Sequence, residues 1–199
     1  MATNVLLLSS TLSNRAWVQR PSSVTQVASP LAPDGSSQPF SLTYNSATDL
    51  LFQIATTPIS QFKTGTIWCF SMFVYAYSTG TSTLEGRLRD SSGHTTTQLT
   101  CSLIDTNNTS YTQGGNTTPN GIGFQNANLF YNLPNPDTNW TRVWFAFTQT
   151  INVPGAHYVG DYWFLITPNS YPDSIIIWGP QLENVTNNPS VAPTQYVPT

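Results

Sequence analysis

Apolar residues along this chain seldom recur three or four positions apart. They crowd into short β-branched and aromatic runs separated by Gly, Pro, Asn and Ser, which is the pattern of successive strands rather than helices. The clearest runs cover 40–44, 50–55, 66–77, 83–88, 96–103, 141–150, 158–167 and 174–182, and most of the 15 prolines and 12 glycines lie between them. Antiparallel strands with one apolar face need a second layer to bury it. The pattern therefore predicts an all-β chain of two packed antiparallel sheets, one domain over residues 1–199.

Two stretches depart from it. Residues 105–139 are dominated by Asn, Thr, Gly and Pro, with a few hydrophobic residues in Gly121-Ile122-Gly123-Phe124 and Leu129-Phe130-Tyr131; they read as a long loop with aromatic anchors, used for contact or simply flexible. Residues 184–199 hold three prolines and no regular period, and read as an extended tail along the sandwich or a neighbouring subunit.

Within 66–77 the two-residue strand period separates Trp68, Phe70, Met72, Val74 and Ala76 from Cys69, Ser71, Phe73, Tyr75 and Tyr77. In 142–148 it sets Val143, Phe145 and Phe147 against Arg142, Trp144 and Ala146. Both faces are largely apolar. If the first set fills the core, Phe73, Tyr75, Tyr77 and Trp144 form an outer aromatic patch, either an interface or a platform for stacking sugars. The alternative is that loops or the tail cover it.

Composition narrows the function. Charged residues are only 8% of the chain and aromatics 13%, so a core can form while Ser, Thr, Asn and Gln take the surface. A net charge of -3 with six Lys and Arg offers no positive field for phosphates, so no nucleic-acid partner is expected. No apolar run approaches the ~20 residues that span a bilayer, and Val5-Leu6-Leu7-Leu8 is too short for a secretory signal; no membrane partner is expected. Cys69 and Cys101 cannot make a disulfide framework, and free buried thiols are the expected state, with pairing left as the lesser alternative.

Catalytic chemistry has little to work with. His94 follows Asp90-Ser91-Ser92-Gly93, a hairpin-turn sequence, and His157 lies far from it in sequence; the acidic residues are scattered, with no spacing that predicts facing carboxylates. No calcium-loop pattern occurs although Asp and Asn abound. The reading is a non-enzyme with no catalytic residue, no metal site and no cofactor. The Asn-x-Ser/Thr acceptors at Asn107, Asn108, Asn116, Asn139 and Asn184 follow from composition and carry no weight.

One stretch is more specific. Ile175-Ile176-Ile177-Trp178-Gly179-Pro180-Gln181-Leu182-Glu183, followed by Pro193-Thr194-Gln195-Tyr196-Val197-Pro198-Thr199, resembles the closing signature of a jelly-roll module of tailed-bacteriophage tail and virion proteins. Asn4-Val5-Leu6-Leu7 with Trp17, then Ala32-Pro33-Asp34-Gly35, looks like its opening strand and turn. Residues 66–76 look like its central strand, and Asn139-Trp140-Thr141-Arg142-Val143 like its Trp-x-Arg-Val strand entry. The resemblance implies a β-sandwich of the carbohydrate-binding-module, jelly-roll type, found in fibres, spikes and accessory virion proteins, with no catalytic residues. It departs at Tyr75, where the family's central strand often carries Lys.

The closing motif also has a physical reading of its own. Trp178 can plug one end of the sandwich, Gly179-Pro180 bends the chain, and Gln181 and Glu183 share a strand face, with Arg142 a partner for Glu183. Glu183 meeting a ligand or metal is the alternative.

The sequence expectation is a structural protein of a phage particle, most of all a capsid decoration or cement protein touching other virion proteins and assembling as a homo-oligomer, as a trimer, through its aromatic face. Met1 standing directly at the opening strand, with no shaft segment, is what favours decoration. The alternative is a carbohydrate-binding receptor module of a tail fibre or spike; a depolymerase fragment is the weakest reading. The expected location is the virion, assembled in the bacterial cytoplasm.

Overall fold

The computed structural model describes the backbone of residues 17–19, 23–35, 39–45, 51–58, 64–75, 82–89, 95–103, 109–115, 117–126, 139–149, 159–168 and 173–195, and side chains over 24–35, 39–43, 45, 64–75, 139–148 and 174–195. Among the described residues there is no helix, hence none long and apolar enough to cross a membrane. The described residues form twelve strands in order: β1 (Trp17–Gln19), β2 (Ser23–Gln26), β3 (Phe40–Tyr44), β4 (Leu51–Pro58), β5 (Ile67–Tyr75), β6 (Ser82–Arg89), β7 (Thr95–Leu103), β8 (Thr109–Gly115), β9 (Thr117–Asn126), β10 (Trp140–Gln149), β11 (Val159–Pro168) and β12 (Asp173–Asn184). They form two six-stranded antiparallel sheets. The first runs β1-β4-β11-β6-β7-β8 and the second β2-β3-β12-β5-β10-β9. Contacts of β7 with β10 and of β11 with β12 join them. This is the all-β sandwich of jelly-roll type that the sequence predicts.

The expected strands at 40–44, 66–77, 83–88, 96–103, 141–150, 158–167 and 174–182 are found with ends shifted by up to two residues, and that at 50–55 extends to Pro58. The expected loop at 105–139 is corrected: β8 and β9 lie inside it. They are edge strands, one on each sheet, and carry the chain from the rim of the first sheet to the rim of the second. Edge strands need no continuous apolar face and are protected by polar residues, Pro and bulges. Pro119 accordingly sits on β9 beside a register shift against Ala146 and Phe147. Leu129, Phe130 and Tyr131 lie outside the described residues, as do the opening stretch 4–7, His94, His157 and Tyr77.

Strand β5 is central to the second sheet, between β12 and β10, and every position from Trp68 to Val74 is buried. Directly opposed residues share a face. Phe70 opposes Phe145 and Leu182, Met72 opposes Val143, and Trp68 opposes Phe147, so these lie on one face. Phe70 and Phe145 have ring centroids 5.7 Å apart, Phe145 and Phe147 6.0 Å. The other face of β5 is equally buried, and the reason lies outside the sheet.

Candidate functional site

The second face of this sheet presents Cys69, Ser71, Phe73 and Tyr75 from β5 and Trp140, Arg142, Trp144 and Ala146 from β10. From β12 it takes Trp178 opposite Phe73, Gln181 opposite Ser71 and Glu183 opposite Cys69. Three residues separate Trp178 from Gln181 where β5 advances by two, so β12 carries one extra residue there. Gly179 absorbs it at φ 60, a left-handed conformation that costs a side chain and suits Gly at a bulge. Without that bulge Trp178 and Gln181 would fall on opposite faces.

Two segments of the same chain cover this face. At one end Ala32 packs into a cluster with Phe73, Trp140 and Trp178, which Tyr75 and Ile176 flank. The covering turn is closed by the Gly35 N–H donating to the Ala32 carbonyl (2.8 Å), with Gly35 at φ 72. It is pinned by the Trp140 indole Nε1, which donates to the Leu31 carbonyl (2.8 Å). Trp178 meets Phe73 at 5.4 Å and Trp140 meets Tyr75 edge-on at 5.3 Å. At the other end Val185 packs with Cys69, Trp144 and Ala146, and Val191, Ala192 and Ile67 close over them. The tail leaves β12 by donating the Val185 N–H to the Ile67 carbonyl (2.8 Å), while the Ile67 N–H donates to Thr186 Oγ1 (2.9 Å). It then turns at 188–191, with the Val191 N–H donating to the Asn188 carbonyl (3.0 Å). Val191 has φ 47, uncommon for a β-branched residue, and its packing into the cluster holds it there.

Between the clusters runs a buried polar belt. Arg142 and Glu183 are both 0% exposed and Gln181 is 1%. Arg142 donates from Nη2 to Ser71 Oγ (3.0 Å) and from Nη1 to the Thr194 carbonyl (2.5 Å), with its guanidinium carbon 5.2 Å from the Phe73 ring centroid. Glu183 accepts at Oε1 from Gln181 Nε2 (2.8 Å) and the Thr194 N–H (2.8 Å), and at Oε2 from Thr194 Oγ1 (2.6 Å). The expected pairing of Arg142 with Glu183 is therefore made through Thr194, which receives from one and gives to the other. A buried charge requires such partners, and Thr194 delivers them only when the tail lies in place.

Cys69, under the tail, is a free buried thiol, so it does not pair with Cys101. Burial pushes its pKa well up, the neighbouring Glu183 carboxylate adds to this, and Arg142 opposes it. Among the described residues no group of three or more His, Cys, Asp or Glu could hold a metal ion.

The aromatic patch expected at Phe73, Tyr75, Tyr77 and Trp144 is thus corrected. Phe73 is 0% exposed and Trp144 8%, while Tyr75 is half-buried against Trp140; Tyr77 lies outside the described residues. The surplus apolar face exists, but the chain's own turn and tail occupy it. Among the described residues Leu31, 64% exposed, is the one large hydrophobic side chain in the open. Trp178, Gln181, Glu183 and Arg142 all come together, and all find partners inside the fold. Sequence reasoning passed over Ser71, Thr194 and Trp140 as partners, although Trp140 and Thr194 stand within the quoted motifs.

No protein-family model and no curated protein matches this chain. Among solved structures, it is similar to an arabinose-bound GH51 α-L-arabinofuranosidase, at 14% identity and TM-score 0.51, over 92% of this chain and 25% of that one. It also aligns with the CBM22-1 xylan-binding domain of Paenibacillus barcinonensis Xyn10C, at 10% identity and TM-score 0.46 over 93% of each chain. A third similarity is to the enzymatically active domain of tailspike protein 4 of bacteriophage CBA120, at 16% identity and TM-score 0.47 over 91% of this chain and 21% of that one. The chain spans about a quarter of the arabinofuranosidase's length. At such identities the similarity concerns the fold.

Proposed function

We propose that this chain is a non-enzymatic recognition module of a tailed-phage particle, and that it binds a glycan on the host surface. The observation that carries the reading is the closure of the second sheet's aromatic face by residues 31–35 and 185–194. A decoration protein joined to its neighbours through that face needs the face open. With it filled, that face offers a neighbouring protein no open apolar surface. The surface chemistry that remains is rich in Ser, Thr, Asn and Gln and poor in charge, which suits hydroxyl-bearing uncharged ligands. The phage setting rests on the resemblance of the Trp178 to Glu183 motif and its Tyr196-Val197-Pro198-Thr199 ending to the closing signature of phage jelly rolls.

The test is binding of the full chain to a printed array of bacterial surface glycans, alongside its copy number in purified particles. Specific binding together with a few to a few dozen copies supports the reading. No binding, with hundreds of copies per particle, returns the protein to capsid decoration.

A further inference from the structure

We propose that the tail from Val185 to Gln195 exchanges between two copies of this chain, so that Thr194 of one copy closes the buried belt of the other. The belt reads a single residue. Arg142 Nη1 donates to the Thr194 carbonyl, while Glu183 accepts from the Thr194 N–H at Oε1 and from the Thr194 hydroxyl at Oε2. Beside it Val191 and Ala192 pack over Cys69 and Trp144. Every one of these contacts belongs to the tail itself and none to the link that joins it to β12. A tail of the same sequence satisfies them equally when it starts on a second copy. Arg142 and Glu183 are both 0% exposed, and buried charges must be met by hydrogen-bonding partners. The occupant has to present a carbonyl, an N–H and a hydroxyl together, as Thr194 does.

What brings a tail back to its own belt is the double turn at 185–191, and that turn is contested. The Asn188 N–H donates to the Val185 carbonyl (2.8 Å) and the Val191 N–H to the Asn188 carbonyl (3.0 Å). Asn188 braces it further: its Oδ1 accepts from the Ser190 N–H (3.1 Å) and hydroxyl (2.9 Å), and its Nδ2 donates to the Ala192 carbonyl (2.8 Å). Against these bonds stands Val191 at φ 47, a left-handed backbone that a branched Cβ opposes. Asn187, Pro189 and Ser190 are exposed, so straightening the turn takes little from the core. Extension frees Val191 and suits Pro189, whose ring holds the φ of an extended chain. From Val185 to Thr194 the extended tail reaches roughly 30 Å, enough to arrive at a neighbouring copy. A short connection under strain is the setting in which identical elements change places between chains. Reciprocal exchange gives a two-fold dimer with both belts filled. Because the covered face stays covered, this goes beyond the reading of the chain as a glycan-recognition module and does not depend on it.

The experiment is sedimentation equilibrium of the full chain over a concentration series, with the dimer constant compared among variants whose folding is checked by thermal melts. The wild type should show a dimer whose share rises with concentration. Asn188→Ala removes the braces of the closed turn and leaves the belt alone, and should raise the dimer constant severalfold. Val191→Gly relieves the closed turn, and should lower it by about tenfold or more. Ending the chain at Asn184 should abolish the dimer. If that shortened chain does not fold, the opposite shifts of Asn188→Ala and Val191→Gly decide alone. A wild type and Asn188→Ala that both stay monomeric at every concentration overturn the exchange. So does a dimer that survives removal of the tail, since it then forms through another surface, or one whose constant is the same in all the variants.

Discussion

Thr194 is a small residue with two jobs, since its carbonyl accepts from Arg142 while its N–H and hydroxyl donate to Glu183. The bonds are unequal in consequence. Thr194→Val keeps the backbone contacts and loses one hydroxyl bond to a charged acceptor, for an expected cost of about 1–3 kcal/mol. Arg142→Met leaves a fully buried Glu183 without the cation beside it, and the expected cost is about 3–5 kcal/mol; urea denaturation of both variants measures the difference, and equal losses would show that the charge of Arg142 is incidental. Cys69 makes a pH prediction whose sign follows from its raised pKa. An unfolded thiol ionises near ~8.5, whereas the buried one keeps its proton. Stability contributed by this group is therefore fully present below that pH and falls as pH rises above it. The alkaline loss of stability should be shallower in Cys69→Ala, as read by denaturant midpoints from about pH 7 to 10.

At the scale of elements, the legible and illegible parts of this protein meet in β5 and β12. The run from Ile67 to Tyr75 is apolar at nearly every position, and period-two reasoning assigns its two faces correctly while leaving open what covers the second. A neighbouring subunit and the chain's own tail demand the same residues of that strand, and the tail that does the covering has too little periodicity to announce where it lies. β8 and β9 escaped for the opposite reason, because edge strands of Thr, Asn and Gly look like loop when read one segment at a time. The bulge at Gly179 sits between these cases, since Gly-Pro signals a bend but only register tells that it returns Gln181 to the side of Trp178. Gly179→Ala should cost about 1–2 kcal/mol by forcing a Cβ into left-handed backbone, measured by thermal or chemical melts. Ending the chain at Asn184 removes the cover from Cys69 and Trp144. Cys69 should then react with a thiol reagent at a rate near that of an exposed cysteine, and an unchanged slow rate in the folded truncated chain would mean that the tail is not what shields it.

For the whole molecule, the balance of charge separates the readings that the fold alone leaves together. Eight per cent charged residues cannot support recognition by long-range attraction, and a jelly roll is a scaffold compatible with many ligands. The second sheet spends one face under the chain's own turn and tail, so the proposed glycan recognition is left to the rest of a surface rich in uncharged polar residues. Hydrogen bonds to the hydroxyls of an uncharged ligand are short-range and largely indifferent to ions, whereas binding that neutralises a polyanion releases counterions and weakens steeply with salt. Affinity for a neutral polysaccharide should therefore change by less than about twofold between roughly 50 and 500 mM NaCl. A steep linear fall of log affinity with log salt would assign recognition to basic side chains acting as cations, and with it an acidic ligand in place of a neutral one.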